Sequence, residues 1–112
     1  MKAILCREWG DPSLLTLTEV DRPVLPTQAG FARIKIHACG VNFADTLMIA
    51  GQYQVKPPLP FTPGMEIAGE VIEVSDDATP LKVGTRIMAV CEYGGMAEEV
   101  VISAQSAIPI PD

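Results

Sequence analysis

With 112 residues, 48% of them hydrophobic and 20% charged, the chain has material for one small folded domain, residues 1–112, and too little for two. Eight Lys and Arg against 14 Asp and Glu give a net charge of −6, the wrong sign for holding a nucleic-acid backbone. No apolar run reaches the ~18 residues of a membrane span, and Arg7 and Glu8 arrive too early for a signal peptide, so a soluble, cytoplasmic protein with no membrane partner is expected.

Residues 2–6 and 14–20 are short strand-like runs on either side of the Gly10, Asp11, Pro12 turn cluster, and they predict an antiparallel pair. Pro23, Pro26 and Gly30 mark a connection. Residues 31–38 alternate: Ala32, Ile34, Ile36 and Ala38 share one face, and Arg33, Lys35 and His37 share the other, which predicts a strand with one wet side. After Gly40 the period changes. Asn42 is placed to cap a helix in which Phe43, Leu47 and Ala50 recur at helical spacing, and Gly51 ends it after about two to three turns.

The four prolines of residues 57–63 predict an extended loop. Strands follow at 67–74, 85–91 and 96–102, separated by the SDDATP stretch, by Val83 and Gly84, and by Gly94 and Gly95. Ten prolines and nine glycines suit such short strands better than a helical bundle. The predicted architecture is mostly β, a partly open barrel with one or two short helices. Charge is divided unevenly along it: six cations meet five carboxylates in residues 1–56, whereas two cations meet nine carboxylates in residues 57–112. That acidity favours solubility.

Few residues here carry chemistry. His37, the single histidine, reads as a surface residue of its strand and supplies no catalytic triad. Cys6, Cys39 and Cys91 are an odd number with no Cys-x-x-Cys spacing, so they read as free thiols rather than a disulfide framework or a zinc finger. Gly64 and Gly69 are spaced like the glycines of a phosphate loop, but Glu70 stands where that loop needs lysine. There is no G-x-G-x-x-G and no βαβ unit to carry one, so a Rossmann domain is absent from this chain.

Two stretches stand out. In ACGVNFADTLMIAGQY (38–53) a strand delivers Asn42 and Asp45 to the start of a helix, and Tyr53 lies just past its end. In PFTPGMEIAGEVIEV (60–74) a Pro-rich loop enters a strand through Gly64 and sets Glu66 in an apolar run. These polar groups could converge on a cleft. Alternatively Asn42 is a plain N-cap, Tyr53 an amphipathic edge residue, and Glu66 a carboxylate tied to a neighbouring arginine or to backbone amides.

The patterns GVN-x-x-D-x-x-x-x-x-G-x-Y and P-x-x-P-G-x-E-x-x-G-x-V, in this order, resemble the N-terminal GroES-like substrate domain of the medium-chain dehydrogenase/reductase superfamily. The match is to its zinc-independent NADPH:quinone oxidoreductase branch, to which zeta-crystallin belongs. The resemblance implies an oxidoreductase that passes a hydride from NADPH to a quinone or enone. It implies that Asn42 and Tyr53 act as catalytic and cofactor-facing contacts, with Phe61 and Met65 on an apolar wall and Asp45 and Glu66 as supporting carboxylates.

Zinc-dependent relatives have cysteine where this chain has Asn42 and histidine where it has Met65, so no zinc is expected. In the family a Rossmann domain follows AIPIPD and a later segment returns to complete the substrate domain. The chain is therefore expected to be an incomplete enzyme, self-associating through the seam left open. The alternatives are a non-enzymatic β-barrel interaction module, an inactive shortened product, or a co-chaperonin-like ring subunit.

Overall fold

The computed structural model describes residues 1–76 and 79–111; Asp77 and Ala78 of the SDDATP break, and Asp112, lie outside the described residues. Among the described residues, seven strands and one α-helix follow in chain order: β1 (Lys2–Leu5), β2 (Thr16–Glu19), β3 (Phe31–Gly40), α1 (Phe43–Ile49), β4 (Glu66–Val74), β5 (Arg86–Val90), β6 (Glu99–Ser103) and β7 (Ala107–Pro109). Single 3-10 turns occupy Pro12–Leu14 and Ala104–Ser106.

β1 and β2 form the expected antiparallel pair, while the other strands make an antiparallel sheet in the order β6-β3-β4-β5-β7. Bridges from Ala3 to Ala97 and from Cys6 to Phe61 lean the small sheet against the end of the large one. The result is the partly open barrel predicted for this pattern.

Two cores form. Ile34, Ile67, Val71, Ile87, Ala89, Val100 and Ile102 fill the inner face of the large sheet. Cys6, Met48, Ile49 and Phe61 make a second cluster where α1 meets the Pro-rich loop. Period-2 burial is clean on β5 and β6, where Ile87 and Ala89, then Val100 and Ile102, point inward.

The alternation predicted for β3 fails at two residues. Arg33, placed on the wet face, is 6% exposed. Its guanidinium donates to Glu73 at 2.9 Å and to the carbonyl of Pro23, and Glu99 lies 3.7 Å away. A buried cation is tolerated when its donors are paired, and this one ties the Pro23 connection to the sheet. Ala38, placed on the apolar face, is exposed. The register shift between Arg33 and Ile34 passes over Ile72 of β4, whereas the shift between Ile36 and Ala38 passes over His37 of β3 and exchanges the faces of β3 beyond it.

The second shift depends on Gly69, which pairs with Ile36. A Cβ there would stand 2.2 Å from the carbonyl oxygen of Lys35 and 2.9 Å from the Ile34 side chain. Only glycine lets β3 and β4 approach this closely.

Three boundaries differ from expectation. Leu14 belongs to a 3-10 turn because Asp11 caps it and Pro12 opens it. The strand predicted at 96–102 begins at Glu99, since residues 94–98 bond instead to the Pro-rich loop and β1. Residues 107–109 form an unanticipated edge strand on β5, in which proline is tolerated because one side pairs with nothing.

Candidate active site

The site lies where the ends of β3 and β5 flank the start of β4. Gly40 pairs with Glu66, and Glu66 pairs with Val90. The chain then leaves β3 through Val41 and enters α1 with Asn42 in extended conformation at its N-cap. Asp45 closes this turn: its Oδ2 accepts the Asn42 amide at 2.8 Å, while its own amide donates to the Asn42 carbonyl at 3.0 Å. Such reciprocal bonding fixes the backbone that carries the Asn42 carboxamide. Asp45 is 1% exposed, and its second oxygen, Oδ1, has no hydrogen-bond partner among the described residues.

Asn42 and Glu66 are brought together across Gly40. A Cβ on Gly40 would lie 3.1 Å from Glu66 Oε2 and 4.0 Å from Asn42 Nδ2, so the missing side chain keeps a gap between a carboxamide and a carboxylate. Glu66 is exposed, and the ion pairs found among the described residues do not include it. From this gap an apolar groove of about 330 Å³ runs down the outer face of the sheet past Ala38, Ala68, Met88, Val90 and Ile108.

Tyr53 and Asn42 stand at opposite ends of α1, with about 10 Å of helix between them. Tyr53 and Met65, both half-buried, pack against the second core. Phe61 lies deeper, at 4% exposure, with Trp9 and Tyr93 against its ring at centroid distances of 5.8 and 6.0 Å. It belongs to the second core, and neither it nor Tyr53 or Met65 lines the groove at Gly40. His37, 58% exposed, is on the outer face 4.0 Å from Glu70, away from this group.

Gly95 and Cys91, which lie outside both motifs, join the motif glycine Gly64 and Cys39 in the site region. The loop before β4 crosses the loop after β5, with Gly95 N donating to Gly64 O at 3.1 Å and Met96 N to Pro63 O at 2.9 Å. Gly64 has φ +110, and a Cβ there would meet Met96 N at 2.7 Å and Cys39 Sγ at 2.8 Å. Cys91 Sγ donates to Gly64 O at 3.5 Å. Burial raises the pKa of both thiols: Cys39 also feels Asp45 and Glu66, and Cys91, which feels Cys39 and Asp45, is pushed up to about 11. The Gly94-Gly95 pair was a sequence signal for this crossing, but it fits a plain turn equally well. Among the described residues no three His, Cys, Asp or Glu side chains are grouped to hold a metal ion.

Residues 28–112 match the family model described as "Alcohol dehydrogenase GroES-like domain". The chain is 46% identical over 112 residues to mouse quinone oxidoreductase-like protein 2, covering 99% of this chain and 31% of that protein. The fold superposes on the quinone oxidoreductase of Thermus thermophilus, whose structure is also known in complex with NADPH, with TM-score 0.81 and 33% identity over 100% of this chain and 33% of that one. On the human synaptic vesicle membrane protein VAT-1 homolog-like protein the TM-score is 0.92 at 31% identity, over 100% of this chain and 36% of that one. The chain thus spans about a third of the length of the proteins it matches.

Proposed function

Since the chain belongs to the alcohol dehydrogenase GroES-like domain family, we propose that it is the acceptor-binding part of an NADPH-dependent oxidoreductase reducing quinones or enones. The observation that carries this reading is the gap at Gly40, which sets an uncharged carboxamide beside an apolar groove. A flat, neutral, carbonyl-bearing acceptor suits that combination, and the exposed carboxylate of Glu66 at its edge disfavours anions. The quinone oxidoreductase relatives, one of them with a known NADPH complex, support the reaction class.

The residues present fit one end of a dinucleotide. Asn42 and the apolar wall of the groove can receive an uncharged ring. The phosphates find no comparable seat, because α1 has only seven residues and the Asp45 carboxylate already occupies its first turn. They would be held by residues beyond those of this chain, such as the Rossmann domain of the longer relatives. When bound, NADPH supplies the hydride. This chain's own part is to orient and desolvate the acceptor. The Asn42 Nδ2–H donates to the acceptor's carbonyl oxygen, a bond that strengthens as that oxygen gains negative charge, and the groove keeps water from the reacting face.

The test is steady-state NADPH oxidation with a quinone acceptor, run on residues 1–112 and on a form extended through the following domain. Activity in the extended form alone is expected; an inactive, folded extended form would overturn the reading.

The proposal includes independence from zinc, because Asn42 and Met65 offer an amide and a thioether where zinc-dependent relatives have better ligands. Elemental analysis after dialysis against a chelator is expected to return no stoichiometric zinc, and one tightly held zinc per chain would refute it.

A further inference from the structure

We propose that Glu66 sets the specificity of the groove beside it, and that the groove takes apolar ligands carrying an ammonium group in preference to neutral or anionic ones. That the groove seats a ligand rests on the reading above; its charge preference does not depend on the reaction carried out there. Glu66 is the one charged side chain lining the groove, and the rest of the lining, with Ala38, Ala68, Met88, Val90 and Ile108, offers no polar side-chain group. A ligand filling the groove meets methyl and methylene surface along its length and a single carboxylate at its end.

Gly40 pairs with Glu66 across the ladder, and a Cβ there would stand 3.1 Å from Glu66 Oε2. The oxygen therefore overlooks the space that the glycine leaves open. On the far side of that space is the Asn42 carboxamide, which is uncharged and does not oppose a cation. Glu66 is exposed and enters none of the ion pairs found among the described residues.

Glu70, further along β4 on the same face, is differently placed. It stands between Lys35 of β3 and Arg86 of β5 in the register, with His37 4.0 Å away. Opposite charges side by side on neighbouring strands weaken each other's pull on a ligand. A cationic head is drawn to the Glu66 end instead, and the apolar body then lies over Ala68 and Met88, which pair across β4 and β5.

The probes are 4-phenylbutylamine, protonated at neutral pH, 4-phenylbutanol and 4-phenylbutyrate: one apolar body with a positive, a neutral and a negative head. Binding to the 112-residue chain at pH 7 and low salt is followed by NMR of labelled alanine and methionine methyl groups. Shifts are expected at Ala38, Ala68 and Met88 and not at Met48, which is buried in the second core. The amine should bind about two- to fivefold more tightly than the alcohol, the range for a solvent-screened ion pair, and the butyrate more weakly than the alcohol. Molar salt should bring amine and alcohol together. Glu66→Gln should do the same at low salt. Glu8→Gln, which removes an equal charge from an exposed residue outside the groove, should keep the preference.

Equal affinity for amine and alcohol in the parent chain would overturn the proposal and leave the groove as a purely apolar site. A preference that survives in Glu66→Gln, shown folded by circular dichroism, would overturn it equally. Loss of the preference in Glu8→Gln would trace it to the net charge of −6 rather than to Glu66. Shifts at none of the groove methyl groups with any probe would remove the groove as a ligand site, and the acceptor reading with it. No turnover is involved, so a failure of the extended protein to oxidise NADPH is read separately from this result.

Discussion

Gly69→Ala is expected to destabilise the domain by about 3 kcal/mol or more, because the added methyl group would make the shortest clash found at any of the nine glycines. The new Cβ would begin 2.2 Å from the Lys35 carbonyl oxygen, well inside van der Waals contact. The obstacle is backbone, so no rotamer change relieves it. Either β3 and β4 separate, losing ladder hydrogen bonds on both sides of the register shift, or the shift is abolished and every side chain beyond Ile36 changes face. A domain of this size has only about 5–15 kcal/mol in total.

Thermal unfolding followed by circular dichroism should show the midpoint falling by more than about 10 °C. Gly40→Ala is the matched control. Its Cβ would meet chiefly the Glu66 side chain, at 3.1 Å and 3.5 Å, and that flexible, exposed side chain can turn away. Less than about 1 kcal/mol is expected there. If Gly69→Ala melts within a few degrees of the parent, the close approach of β3 and β4 is wrong.

In the extended protein, Asn42→Ala and Tyr53→Phe are expected to lower kcat/KM by about 5- to 100-fold each, the range for losing one buried polar contact of roughly 1–3 kcal/mol. Asn42 should act mainly through kcat if its carboxamide bonds the acceptor oxygen as charge develops there. Tyr53, at the far end of α1 and packed on the second core, should act mainly through KM. His37→Ala should leave the rate unchanged, because that exposed side chain lies beside Glu70 and does not line the groove. Steady-state kinetics of the three variants with a quinone acceptor decide the matter. Loss of activity in His37→Ala, with retention in the other two, would move the site away from Asn42.

The sequence by itself determined the β class, the antiparallel first pair, the short capped helix between Asn42 and Gly51 and the extended Pro-rich loop. Each of these is written in neighbouring residues: alternation for a strand, an Asn three residues before an acidic side chain for a helix start, proline where no amide can be donated. The cap at Asn42 was legible for the same reason, and its reciprocal bonding with Asp45 came from the structure.

The buried Arg33 and the exposed Ala38 were not legible. Arg33 is covered by the Pro23 connection and paired with Glu73 across the sheet, whereas Ala38 follows a register shift at Gly69, more than thirty residues away on the facing strand. β7 escaped notice because three residues ending in proline form a strand only when an unfilled edge of β5 is there to pair with them. The tertiary structure alone brought Glu66 to Asn42 across Gly40, and Cys39 and Cys91 to the crossing of Gly64 and Gly95. Those meetings depend on strand order and on close backbone approach between distant segments, and no local periodicity encodes either.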